Sequence, residues 1–229
     1  LYRNKSSDTY IGLFGYTNGA TIKNIGVTNV NITGGSEANA GGLVGVASTS
    51  SDISNSYSTG SVEVGSGEVN FANAGGLVGL NHDSSISNSY STSSVTGGSD
   101  DANVGGLVGY SYSSTISNSY STGSVTGGDN TNEGGLVGKN YSTTATNSYY
   151  DTSKNTEDMV DSAAYGKTTS ELFSLANSNW SSDYWSFGGG ADVAGFEVAL
   201  SPYLKDVTAQ ADKPTTTTLF NAGFGTKAS

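Results

Sequence analysis

A short glycine-rich block built around a leucine returns five times along the chain. Ile11-Gly12-Leu13-Phe14-Gly15 is followed by four copies of Gly-Gly-Leu-Val-Gly, at 41–45, 75–79, 105–109 and 134–138. The leucines, Leu13, Leu43, Leu77, Leu107 and Leu136, are 30, 34, 30 and 29 residues apart. Nine or ten residues after each leucine comes a second block, Ile-Ser-Asn-Ser-Tyr-Ser-Thr at 53–59, 86–92 and 116–122. An earlier version starts at Ile22 and a diverged one runs from Ala145 to Tyr150. A third block, Gly-Ser-Val-Thr-Gly-Gly or a variant, closes each unit, and a variable stretch leads to the next leucine. Repetition at such a period indicates an array whose units each lack a core of their own and obtain one by stacking.

The side-chain alternation inside a unit is that of strands. Ile53, Asn55 and Tyr57 share one parity and Ser54, Ser56 and Ser58 the other, a period of two rather than 3.6. The 33 glycines and the β-branched residues oppose helix as well. Three short strands per unit are expected, with equivalent strands of successive units pairing in register at ~4.8 Å. The expected fold is all-β: a parallel β-helix, right-handed by expectation, of about five coils of ~30 residues. A propeller blade needs ~40–45 residues, more than this period supplies.

Two columns follow from the repeat. Asn24, Asn55, Asn88, Asn118 and Asn147 are expected as an interior amide ladder, each amide bonded to the next coil. Tyr57, Tyr90, Tyr120 and Tyr149, which share the parity of the isoleucines, are expected as an internal or corner aromatic stack. Tyr110, Tyr112 and Tyr141 stand outside that pattern and are the candidates for an exposed ligand-binding surface. The serines of opposite parity should form a flat, hydroxyl-rich outer face.

Charge and composition narrow the function classes. The net charge is −11, and no Lys or Arg occurs between Lys23 and Lys139. Nucleic-acid binding needs cationic side chains, so nucleic acid and anionic membrane are not expected partners. No run of ~18 apolar residues is present to span a membrane, and the chain has no cysteine. The acids gather in the variable stretches. Asp100, Asp101, Asp129 and Glu133 are the candidate ligands for calcium, which takes six to eight oxygens; the favoured reading is solubilising edge charge. No other cofactor is expected. The single histidine, His82, belongs to no repeated motif, so a three-histidine zinc site is impossible and no catalytic residue is assigned.

After Tyr150 the pattern changes. Thr168-Thr169-Ser170-Glu171 reads as a capping box opening a short helix through Leu172, Phe173 and Leu175. Trp180, Tyr184, Trp185 and Phe187 form the densest aromatic cluster, expected to cover the last coil, with sugar binding by Trp180 and Trp185 as the alternative. The organisation is thus a repeat solenoid over 1–150, a capping segment over 151–208 and a Thr-rich linker or tail over 209–229.

The combination of Gly-Gly-Leu-Val-Gly with Ile-Ser-Asn-Ser-Tyr-Ser-Thr-Gly-Ser-Val-Thr-Gly resembles the GLUG motif of large secreted bacterial surface proteins. Those include filamentous-haemagglutinin-like adhesins of two-partner secretion and some immunoglobulin A proteases. The resemblance spans ~11–150 and implies export, a bacterial cell-surface location and a β-helical rod. It supplies no catalytic residues. Adhesins of this type are sometimes glycosylated, and Asn4, Asn31, Asn140 and Asn179 lie in Asn-x-Ser/Thr sequons. The expected role is a monomeric, non-enzymatic structural or binding segment of an adhesin, contacting a host-cell or surface glycan or protein. The alternatives are a carbohydrate-active β-helical enzyme and a non-adhesive spacer of a secreted protease.

Overall fold

The computed structural model describes residues 1–5, 7–65, 72–99, 101–155, 165–173, 180, 184–186, 192–193, 196–197 and 203–204. The repeats form a parallel β-solenoid of five coils, and each coil passes through four sheets rather than the three expected. The first sheet stacks Tyr10–Ile11, Asn39–Gly41, Asn73–Gly75, Asn103–Gly105 and Asn132–Gly134. The second stacks Phe14–Asn18, Val44–Ser48, Val78–His82, Val108–Tyr112 and Val137–Tyr141, and the third Thr21–Lys23, Asp52–Ser54, Ser85–Ser87, Thr115–Ser117 and Thr144–Thr146. The fourth begins with Tyr2–Lys5 and continues through Gly26–Gly34, Tyr57–Val64, Tyr90–Ser91 with Ser94–Thr96, Tyr120–Ser121 with Val125–Thr126, and Tyr149–Asp151 to Tyr165–Lys167.

The additional strand position arises inside the Gly-Gly-Leu-Val-Gly block, which bends at its second glycine and leucine and so ends one strand and starts the next. A Cβ on Gly79 would lie 2.6 Å from the Ala40 backbone nitrogen and 2.7 Å from the Gly45 carbonyl oxygen. Backbone from the preceding coil fills that space, so the block requires glycine there.

Register is kept residue for residue in the first three sheets, and the fourth has one irregularity, between Val27 and Val30. Ile22, Ile53, Ile86 and Ile116 pair in succession and end on Ala145; Val44, Val78, Val108 and Val137 do the same in the second sheet. With Leu43, Leu77, Leu107 and Leu136, all fully buried, they build one continuous core. Fully burying each such side chain stabilises by about 1.5–3 kcal/mol, a gain available only to stacked coils. The longer second period leaves the pairing undisturbed, because Asn73 still pairs with Asn39.

The ends of the core differ. Leu13, in line with the buried leucines, is 42% exposed in the first coil. In the fifth, Glu133 takes the register position of Ala40, Ala74 and Val104, and Ala145 that of the isoleucines. A carboxylate and a short side chain on edge strands discourage another strand from adding there.

The repeated asparagines sit differently from expectation. Asn24, Asn55, Asn88, Asn118 and Asn147 adopt left-handed backbone with φ between 45° and 59°, a conformation Asn tolerates better than most residues. They form the corner between the third and fourth sheets, exposed or half-buried rather than interior. Asn55 donates to Asn24 at 3.3 Å and Asn147 to Asn118 at 3.4 Å, whereas Oδ1 of Asn55 and of Asn88 has no partner among the described residues.

The corner also inverts the alternation. Ser56, Ser58, Ser89, Ser91, Ser119 and Ser121, expected on the outer face, are fully buried; Ser54 remains half-exposed. Ser56, Ser89 and Ser119, at the corner itself, each do two jobs. Ser89 Oγ donates to the Ser87 carbonyl at 2.8 Å and accepts from the Ser56 N–H at 3.2 Å. Ser119 repeats the pattern with Ser117 and Ser89. Backbone groups left unpaired by the bend are thereby satisfied coil after coil.

Candidate functional site

Inverting the alternation turns the first tyrosine column outward. Tyr57 stacks on Tyr90 at 4.9 Å and Tyr90 on Tyr120 at 5.1 Å, with planes 4° and 3° apart. The rings belong to a cluster separate from the solenoid core, shared with Leu172, Trp180, Trp185 and Leu204. Of the expected internal or corner stack, the internal reading is corrected: the column starts just past the Asn corner, lies on the outer side of the fourth sheet and is buried by the C-terminal segment. Trp185 packs against Tyr90 and Tyr120, and Trp180 against Tyr120 and Tyr149.

The cover thus lies along the flank of several coils rather than only over the last. Trp180 Nε1 donates to the Asn147 carbonyl at 2.8 Å. Trp185 is fully buried and its Nε1 has no acceptor among the described residues. Both tryptophans are spent on this packing, which removes them from the exposed ligand-binding candidates. Burial, and then the neighbouring Tyr90, raise the Tyr120 phenol well above its ordinary value.

The expected capping box is present ahead of the helix Thr169–Phe173. Thr168 N–H donates to Glu171 at 2.7 Å and Glu171 N–H to Thr168 Oγ1 at 3.3 Å. Hydrogen bonding from Thr168 lowers the Glu171 pKa. Buried Asp151 ties this helix to the last coil, accepting from Ser153 N–H at 2.9 Å, Ser153 Oγ at 2.6 Å and Thr169 Oγ1 at 2.8 Å. The tail over 209–229, Asp100, Asn179, Leu175 and Phe187 lie outside the described residues.

Tyr112 and Tyr141, read from sequence as outside any column, form one of their own. Tyr112 stacks on Tyr141 at 5.0 Å and on His82 at 5.0 Å, along the outer side of the second sheet. Tyr141 is 57% exposed, and nothing among the described residues covers this file as the tryptophans cover the other. His82 Nδ1 lies 3.6 Å from Asp83 in an exposed pair.

Two positions nearer the start of the same strands, Leu80, Tyr110 and Lys139 follow one another in register. Lys139 Nζ lies 5.9 Å from the centre of the Tyr110 ring. Burial, and then Tyr112 and Tyr141, raise the Tyr110 phenol. This column forms one wall of a cleft of about 440 Å³ on the outer side of the bend between the first and second sheets.

The cleft contains a feature the sequence reading missed, the chain's well-bonded amide ladder. Asn73 donates to Asn39 and Asn103 to Asn73, both at 2.7 Å, and Asn132 donates to Asn103 at 2.8 Å. The signal was available, since an Asn precedes four of the Gly-Gly pairs by two residues. Of the calcium candidates, Asp101 and Asp129 are exposed and Glu133 accepts from Thr131 at 3.0 Å. Among the described residues no three His, Cys, Asp or Glu side chains gather as a metal site. None of the helices among them is long and apolar enough to cross a membrane.

A register-locked parallel solenoid, with repeated side chains on its outer faces, is the class these features define. Residues 36–63, 72–96 and 100–126 match the family model described as the GLUG motif, so the chain carries GLUG motif repeats. The first and fifth coils lie outside those stretches and keep the same register. No curated protein matches the chain. A crystal structure of a candidate immunoglobulin A1 protease from Bacteroides ovatus is similar at 16% identity and a TM-score of 0.47, over 83% of this chain and 76% of that one. A likeness of that degree carries no argument about function.

Proposed function

We propose that this chain is a non-catalytic segment of an exported bacterial surface protein, a stiff rod that attaches to surface glycans or proteins through arrays of repeated side chains. The observation that carries the reading is the residue-for-residue register of the second and third sheets, which sets equivalent outer side chains one coil apart. Such an array presents many weak contacts at fixed spacing, and linked contacts raise overall avidity without any of them being strong. The uncovered file of His82, Tyr112 and Tyr141 and the asparagine-floored cleft are the surfaces best suited to contact. Retention of beads coated with the purified chain on glycan-, protein- and cell-coated surfaces tests it, with heat-unfolded chain as the control. Retention no better than the control would leave the chain a spacer and end the attachment reading.

A further inference from the structure

We infer that the cleft between the first and second sheets is a binding site for an oligosaccharide bearing a carboxylate. The inference rests on the attachment reading and deepens it by naming a site and a ligand class.

The floor and the wall each supply part of the recognition. The part of the amide ladder that lines the cleft, Asn39 to Asn103, spans two coil spacings, roughly 10 Å at ~4.8 Å each. An amide has two N–H donors and two acceptor lone pairs. Each rung of the ladder uses an N–H or a lone pair on its neighbour; Asn39, the most exposed of the rungs lining the cleft at 9% against 1% for Asn103, is where a ligand hydroxyl can meet amide donor and acceptor together. An extended peptide would seek backbone pairing, but the strands around the cleft are already paired on both sides in the central coils. Leu80 and Tyr110 add an apolar flank for the C–H faces of a sugar ring.

Lys139 sets the charge preference. It is the sole Lys or Arg between Lys23 and Lys154 in a chain of net charge −11, and it stands at the fifth-coil end of the cleft. Glu37 lies towards the opposite end. A ligand carboxylate is therefore directed to Lys139, with hydroxyls towards Glu37, and the ligand takes one orientation. A charge-assisted contact of this kind outweighs a neutral one.

The test is calorimetry with the whole chain and matched pairs of probes: oligogalacturonate against its methyl ester, and sialyllactose against lactose. At least one acidic probe is expected to bind about tenfold tighter than its neutral partner, and less tightly as salt is raised. Lys139→Gln should remove that preference, Tyr110→Ala should weaken both partners of the pair, and Thr115→Ala, exposed on the third sheet, should change neither. These substitutions are on the outer face, and circular dichroism verifies that each variant folds. Binding of an acidic probe that survives both Lys139→Gln and Tyr110→Ala overturns the cleft while sparing attachment. Absence of binding to every acidic probe overturns the inference as well, and bead retention then decides separately whether the chain attaches by another surface.

Discussion

Tyr57, Tyr90 and Tyr120 stack at 4.9 and 5.1 Å with nearly parallel planes, and Tyr112 stacks on Tyr141 at 5.0 Å with planes 3° apart. By the geometry of their tyrosine pairs the two files are indistinguishable. By burial they are opposites: the first three rings are at most 4% exposed, whereas Tyr141 is 57% exposed. Coil register alone therefore produces the stacking, and a tidy aromatic file reports neither a core nor a binding platform. Its role depends on what lies against its outer edge, which for the first file is Trp180 and Trp185 and for the second is solvent among the described residues.

The sharpest way to break the contrast is to remove the cover. Trp185→Ala empties a fully buried site against Tyr90 and Tyr120 and is expected to cost about 3–5 kcal/mol in urea unfolding. Trp185→Phe keeps most of the packing and removes an indole N–H that has no acceptor among the described residues, so it should cost much less. Equal, small effects of both substitutions would show that the cover contributes little. Next in size is the tether. Asp151→Ala deprives Ser153 and Thr169 of their acceptor and should cost about 1–3 kcal/mol, with a red shift of tryptophan emission as Trp180 and Trp185 become wetter. An unshifted spectrum would mean that the tryptophans hold their place without it.

Alkaline pH separates the files through Tyr120. Its folded-state pKa is raised by burial and then by Tyr90, so the folded chain holds the phenolic proton after the unfolded chain has released it. The associated stability is complete below the ordinary value of 10.0 and is lost as pH rises through it towards the raised value. The urea midpoint should fall above about pH 10, by on the order of 1 kcal/mol per pH unit from this group. Tyr120→Phe should flatten that decline. A wild-type and a Phe variant with superimposable pH profiles would contradict the assignment.

The leucine, isoleucine and valine ladders were legible in the sequence because each recurs at the coil period and needs only to be stacked. The helix start was legible because a capping box is local. The side on which Tyr57 and its equivalents lie was not. Counting by twos assumes one uninterrupted strand from Ile53 to Tyr57, and left-handed Asn55 breaks that strand. A single residue of positive φ reversed the inside and outside for everything after it, serines included. The flank position of Trp180 and Trp185 was illegible for another reason: the cover has no period, and only a hydrophobic column turned outward calls for one. Tyr112 escaped notice as a member of a file because its neighbours in register are His82 and Tyr141, which share shape but not identity across all three coils.

The smallest expected effect tests the other half of the comparison. Tyr112 sits between His82 and Tyr141, and ring contacts of this kind are worth about 0.5–1.5 kcal/mol when measured in pairs. Here the partners lie on the open side of the second sheet, and the strand beneath is held by backbone pairing on both sides. Most of the ring's contacts are therefore replaceable by water, and Tyr112→Ala should lower stability by no more than about 0.5 kcal/mol. A loss as large as that of Trp185→Ala would reverse this argument, because it would require the second file to be buried against something as well.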